Sequence, residues 1–357
     1  MIRVLIVDDS PSVRALLEYV LGSDPGLQVA GCATDGAEAV RMARELRPDV
    51  ITMDLHMPGT DGVEATRSIM QACPAPIVIV SGSDRFDEVG ASFRAIEAGA
   101  LVAVQRPAGI GSPAHLASAN ALIRTVKSMA EVKVVRRWAP AAPAAAAGRR
   151  NARASRAPQL VLIGASTGGP AVLRDILAEL PAAFPLPVVI VQHMAPGFAA
   201  GFAAWLGTAS GFPVSVAAHG EALQPGRAYI VPNDLQPSVT RERVIELAAG
   251  APEHGMCPSV SHLFRNVHPD LCGGAIAVLL TGMGKDGAAE LRTLKDKGAV
   301  TIVQDRASSA VYGMPGEALR HDAAKHVLAP AEIGLLISTL GAVRTMPPGP
   351  AGTGSET

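Results

Sequence analysis

Residues 160–170 read Leu160-Val161-Leu162-Ile163-Gly164-Ala165-Ser166-Thr167-Gly168-Gly169-Pro170, and few stretches leave a chain less freedom. Four apolar residues make a buried strand, and a turn carrying Gly164, Gly168 and Gly169 ends it abruptly. Pro170 then opens a predicted helix over 171–180, because its fixed φ and missing N–H suit a first helical position. A strand that stops at small residues ahead of a helix presents a side chain and several N–H groups at the carboxyl edge of a sheet. The side chain presented is Ser166, framed as Gly164-x-Ser166-x-Gly168, the spacing of a nucleophile elbow. On this stretch alone, a glycine-rich phosphate cradle and a tight turn with an idle serine stay open as rivals.

The neighbouring segments bear on those rivals. A second strand over 187–191 ends in Gln192-His193-Met194. Strand, helix and strand within ~35 residues form a βαβ unit with a right-handed crossover. Ser166 and His193 therefore share one edge of adjacent strands. A dinucleotide site would carry Asp or Glu at the end of the second strand, and a histidine there speaks against it. A third strand over 275–280 runs into Thr281-Gly282-Met283-Gly284-Lys285-Asp286-Gly287 and delivers Asp286 to the same edge. Histidine can accept the serine proton, and aspartate can fix the imidazole tautomer and stabilise its charged form. The order Ser–His–Asp differs from the Ser–Asp–His order of α/β-hydrolases, which disfavours that family without weakening the chemistry.

The amino-terminal part alternates in the same way. Strands are predicted over 4–7, 27–33, 50–53, 77–80 and 101–104, and helices over 12–21, 36–46, 62–71, 88–97 and 113–129. Five strands alternating with helices predict a parallel sheet covered on both faces. Working residues collect at the carboxyl ends of such strands. Those ends carry Asp8 and Asp9, Asp54, Ser81, and Arg106-Pro107. Three carboxylates converging on one edge repel unless a cation sits among them, and a hard, oxygen-preferring ion such as Mg²⁺ suits them.

The 357 residues suggest two domains. With 48% hydrophobic residues but only 2 Trp, 3 Tyr and 7 Phe, the aliphatic residues must fill both cores. A net charge of −1 argues against bulk nucleic-acid binding. No apolar run approaches the ~18 residues of a membrane span, and the acidic start at 1–9 is unlike a signal peptide. Cys32, Cys73, Cys257 and Cys272 form no metal-like spacing and read as core residues of a reduced, cytoplasmic protein. Six histidines (His219, His254, His262, His268, His321, His326) show no ligand pattern either. Residues 127–158 are Ala/Pro-rich, and from Lys133 to Pro158 they carry seven Lys or Arg and no acid, as a solvated tether would. The Pro/Gly-rich tail over 344–357 reads as disordered.

Residues 2 to about 125 resemble a response-regulator receiver domain, on Val7-Asp8-Asp9-Ser10, Met53-Asp54-Leu55-His56-Met57-Pro58-Gly59-Thr60-Asp61-Gly62 and Ser81. The resemblance implies a flavodoxin-like (βα)5 fold over 1–126, with Asp54 as phospho-acceptor and Asp8, Asp9 and Asp54 binding Mg²⁺. Ser81 would be the switch hydroxyl, and Arg106 stands where the family pattern has Lys. Ala103 stands where it usually has an aromatic switch residue. Residues 160 to about 340 are similar to the chemotaxis protein-glutamate methylesterase (CheB) family. That likeness rests on the blocks around Ser166, His193 and Asp286, together with Pro258-Ser259-Val260, Gln304-Asp305 and Ala307-Ser308-Ser309-Ala310-Val311-Tyr312-Gly313-Met314-Pro315.

The second resemblance implies a doubly wound parallel-sheet α/β domain over 159–343, with Ser166 as nucleophile, His193 as base and Asp286 as its orienter. Thr167 would lie beside the nucleophile and the Met283 N–H would bind the oxyanion. The reaction implied is hydrolysis of glutamate γ-methyl esters on chemoreceptors, and deamidation of receptor glutamines, through an acyl-enzyme without a metal. A histidine kinase would supply the phosphoryl group. The unphosphorylated receiver would lie over the crevice until Asp54 is phosphorylated. Departures at Gln236-Pro237, Cys257 and Ser261 bear on receptor docking and substrate preference. Two alternatives are a non-chemotaxis partner for the same two-domain protein and a phosphorylation-dependent binding module without turnover. A DNA-binding regulator lacks any recognition element in the sequence.

Overall fold

The computed structural model describes residues 1–82, 86–132, 134 and 156–342. The amino-terminal half runs β1 (Ile2–Val7), α1 (Pro11–Gly22), β2 (Leu27–Ala33), α2 (Gly36–Leu46) and β3 (Val50–Met53). It continues through α3 (Gly62–Ala72), β4 (Ile77–Ser81), α4 (Phe86–Ala98), β5 (Val102–Gln105) and α5 (His115–Ala130). Its helices start where the sequence offers caps: Asp35 accepts the Glu38 N–H ahead of α2, and Asp61 accepts the Glu64 N–H ahead of α3. Every residue of β3 and β4 is buried, as strands covered on both faces must be. The five strands pair in parallel in the order β2-β1-β3-β4-β5, the flavodoxin-like arrangement.

The second half begins with β6 (Leu160–Ala165), α6 (Gly169–Ala178), β7 (Val188–Gln192) and α7 (Ala199–Ser210). Then come β8 (Val214–Val216), β9 (Glu221–Ala222), β10 (Ala228–Ile230), β11 (Gln236–Val239), β12 (Val244–Ala248), α8 (Val260–Arg265) and α9 (Pro269–Cys272). The chain closes with β13 (Ala275–Leu279), α10 (Ala288–Asp296), β14 (Val300–Gln304), α11 (Met314–Arg320), β15 (His326–Leu328) and α12 (Pro330–Ala342). The seven-stranded parallel sheet has the order β15-β14-β13-β6-β7-β10-β8. From β6 the chain steps to β7 on one side and later returns to β13 on the other. The strand order therefore reverses beside β6, where open α/β sheets form their crevices.

Some elements differ from expectation. The helix after the Ser166 turn starts at Gly169, so Pro170 is its second residue rather than its first. The small antiparallel sheet β11-β12-β9 was not predicted, since its strands of two to five residues are too short for periodicity to reveal. Helix α5 reaches Ala130, and Val132 and Val134 pack on the amino-terminal core, so the start of the expected tether is structured. The Ala/Pro-rich run and the tail over 344–357 lie outside the described residues. Of the four free cysteines only Cys272 is buried. No helix among the described residues is long and apolar enough to cross a membrane.

The two halves touch through α4, which packs on α7 and α6. The Phe93 ring lies 4.9 Å from Phe202, 5.2 Å from Trp205 and 6.3 Å from Phe198, centroid to centroid. Glu97 pairs with Arg174 of α6 at 2.9 Å, and Gln105 Nε2 donates to the Pro196 carbonyl at 3.1 Å.

Candidate active site

β6 is the strand from which the site is built. Ala165 pairs with Gln192 of β7, and the His193 N–H donates to the Ala165 carbonyl at 2.9 Å. On the other side Gly164 pairs with Leu279 of β13, and the Ser166 N–H donates to the Thr281 carbonyl at 3.0 Å. Ser166, His193 and the turn after β13 thus leave the sheet side by side. Gly168 has φ +79°, a backbone that a side chain would strain, and it caps the start of α6.

Asp286 is 2% exposed and surrounded by donors. Ser259 Oγ (2.8 Å) and the Ser261 N–H (2.9 Å) donate to its Oδ1, and the Val260 N–H (2.7 Å) donates to its Oδ2. His193 Nε2 lies 2.9 Å from the same Oδ2. Burial alone would raise the carboxyl pKa, but the His193 contact and the Ser261 and Ser259 donors outweigh it. Asp286 is held well below the usual carboxylate range. An ionised carboxylate only accepts, so Nε2 carries the imidazole proton and Nδ1 keeps its lone pair. Nδ1 is buried and has no partner among the described residues. The Ser166 hydroxyl makes no hydrogen bond among them either, a looseness common in sites without substrate.

The turn 281–284 closes the site. An ideal Cβ on Gly282 would lie 2.7 Å from Ser166 Cβ, so only glycine lets the two backbones come this close. The Gly282 carbonyl accepts N–H groups from Gly313 (3.0 Å) and Met314 (2.9 Å), which fixes that peptide plane. In a planar trans peptide the Met283 N–H then points the opposite way. Thr167 is 9% exposed and its carbonyl accepts the Thr281 hydroxyl at 2.9 Å. Sequence reasoning missed the cradle behind Asp286. Gln236 Oε1 accepts the Ser259 N–H at 2.9 Å, and Ser261 Oγ accepts the Gly287 N–H at 2.8 Å. Two positions read as receptor-docking departures, Gln236 and Ser261, thus sit behind Asp286. Ser259 is the N-cap of α8, and a serine just ahead of a short apolar helix was the available signal.

A second cluster lies in the amino-terminal half. Asp8 and Asp54 are 1% and 8% exposed, Asp9 is exposed, and their oxygens fall within 4.8 Å of one another. Burial, then the Asp8 charge, pushes the Asp54 carboxyl up to about 6, and burial also raises Asp8. Asp8 Oδ2 is buried without a partner among the described residues. An all-oxygen, anionic donor set with one oxygen unsatisfied fits a hard dication. The Ser10 N–H holds Asp8 Oδ1 at 2.9 Å, and the Asp54 N–H donates to the Val7 carbonyl at 2.9 Å. Ser81 ends β4, and its carbonyl accepts the Arg106 N–H at 2.7 Å. The Arg106 guanidinium packs on Gly82, where its charge opposes the upward shift of Asp8 and Asp54.

Residues 161–337 match the CheB methylesterase family and residues 4–112 match the response regulator receiver domain. The protein-glutamate methylesterase/protein-glutamine glutaminase of Nitrosospira multiformis is 52% identical over 348 residues, covering 96% of this chain and 98% of that one. Its counterpart numbered 4 in Geobacter metallireducens is 51% identical over 349 residues, covering 95% and 99%. The crystal structure of the Thermotoga maritima CheB methylesterase catalytic domain shares 35% identity with a TM-score of 0.49, covering 51% of this chain and 98% of that one. The chain belongs to the CheB methylesterase family, with a response regulator receiver domain ahead of its methylesterase domain.

Proposed function

We propose that this protein hydrolyses γ-methyl esters of protein glutamate, and side-chain amides of protein glutamine, under control of phosphorylation at Asp54. The observation that carries the reading is the Asp286–His193 pair beside Ser166, with the imidazole's free nitrogen buried and unpartnered. Ser166 Oγ attacks the γ-carbonyl carbon while His193 Nδ1 takes its proton. The tetrahedral oxyanion forms against the Met283 N–H, with Thr167 at the rim. The imidazolium returns the proton to the methoxy oxygen or the amide nitrogen as its bond to the former carbonyl carbon breaks, and methanol or ammonia departs. Water, deprotonated by the same nitrogen, then cleaves the acyl-enzyme to free glutamate.

In the receiver, Asp54 is the phospho-acceptor, its carboxylate attacking phosphorus. Asp8, Asp9 and Asp54 would hold Mg²⁺, which when bound screens charge on the transferred phosphoryl group. Ser81 and Arg106 would contact that group from β4 and β5. The substrate proteins are chemoreceptors, the phosphodonor is a histidine kinase, and the reaction belongs to the cytoplasm. The test is methanol release from methyl-labelled receptor membranes, by wild type and Ser166→Ala, each with and without acetyl phosphate. Serine-dependent release that rises with the phosphodonor is expected. Release by Ser166→Ala equal to wild type would remove Ser166 from the chemistry.

A further inference from the structure

Gln304 ends β14 and is fully buried, an uncommon place for a side-chain amide. Its Oε1 accepts the Thr281 N–H at 2.8 Å, and its Nε2 donates to Ser308 Oγ at 3.1 Å. The Ser308 N–H donates to Asp305 Oδ1 at 3.0 Å and the Ser308 hydroxyl bonds the same oxygen, so the outer end of the amide is anchored. The inner end matters more. Leu279 pairs with Val303 in the β13–β14 ladder, so Thr281 stands where that ladder stops. There the Gln304 side chain supplies the acceptor that a continuing strand would have offered, and the main chain is free to turn into Gly282.

Thr281 is the hub of that turn. Its carbonyl accepts the Ser166 N–H, its hydroxyl donates to the Thr167 carbonyl, and the same oxygen accepts the Val311 N–H at 2.9 Å. The nucleophile's backbone and the peptide that aims the Met283 N–H therefore hang from one residue, and Gln304 holds that residue's N–H. We infer that Gln304 is a positioning residue for the oxyanion-binding turn 281–283. It keeps the Met283 N–H aligned with Ser166 and touches no substrate itself. The inference rests on the proposed role of the Met283 N–H.

An apolar side chain at 304 would strand a buried N–H, and the turn would shift to satisfy it. The probe is phenylboronic acid, which forms a tetrahedral adduct on a serine oxygen and so reports oxyanion geometry. Gln304→Leu should weaken boronate binding roughly tenfold and lower kcat for ester hydrolysis in parallel, with KM little changed. Gln304→Glu, which keeps an oxygen facing Thr281, should recover boronate binding to within about threefold of wild type. Should Gln304→Leu fail to fold, Ser308→Ala releases only the outer end and should weaken the boronate about threefold. Wild-type boronate affinity per folded site in these variants overturns the inference, because a merely structural role lowers the number of sites and not their affinity. Unaltered kcat overturns it as well. Ser166→Ala as active as wild type would bring down the proposed chemistry itself, and the inference with it.

Discussion

Asp54 keeps a carboxylate in a place that disfavours charge, and the cost can be measured. Its carboxyl lies near 6 in the folded chain and near 3.8 unfolded, so the unfolded state gives up its proton first. Stability contributed by the protonated form is fully present below about pH 4 and is lost as pH rises through about 6. Asp54→Asn removes the charge and should stabilise the receiver at pH 7.5 in EDTA by about 2–3 kcal/mol, with little effect at pH 4. Urea unfolding at the two pH values reads this directly. Mg²⁺ should stabilise wild type at pH 7.5 far more than Asp54→Asn, and an equal gain would remove Asp54 from the metal site. Asp286 is the opposite case: burial disfavours its charge, but His193 and the Ser261 and Ser259 donors outweigh that and hold it ionised. Asp286→Asn keeps the shape but turns the His193 tautomer, so kcat should fall roughly 10³–10⁴-fold with the fold intact by circular dichroism. A fall under tenfold would make the aspartate a structural residue.

At the scale of elements, the strand ends were legible because each long apolar run stops at a chemically distinct residue. Ser166, His193 and Asp286 could be placed on one edge by counting strands. The cradle could not, since Gln236 opens a four-residue strand and Ser259 caps a six-residue helix. Neither element has enough turns or alternations for a pattern to emerge. Their coupling to β6 nevertheless shows in one contact. A Cβ on Gly164 would overlap both methyls of Val260, whose N–H holds Asp286. Gly164→Ala should therefore destabilise the methylesterase domain by about 2 kcal/mol and lower kcat as α8 is pushed off Asp286. Val260→Ala makes room for the methyl, so the double variant should recover much of both losses. Strict additivity in a double-mutant cycle of urea midpoints would show that the two side chains do not share that space.

Across the whole molecule, the sequence indicated two α/β units but not how they meet, because the contact depends on side chains from separate folds. Phe93 is 2% exposed on α4 of the receiver, and its ring packs among Phe198, Phe202 and Trp205 of the other half. Gln105, next to Arg106, binds the Pro196 carbonyl in the loop that follows His193. Only the ends of β4 and β5 thus lie between the strand end that carries Asp54 and the His193 loop. If docking of α4 limits access to the crevice, truncating Phe93 shifts the docked and undocked populations without touching Ser166, His193 or Asp286. Losing most of that buried ring contributes about 2 kcal/mol, or roughly a thirtyfold change in the docking equilibrium. Phe93→Ala should then raise methanol release without a phosphodonor toward the level wild type reaches with acetyl phosphate, and further phosphorylation should add little. Glu97→Gln, which removes only a half-exposed ion pair with Arg174, should change basal release far less. Basal release by Phe93→Ala equal to that of wild type would mean that this interface holds the halves together without controlling the site.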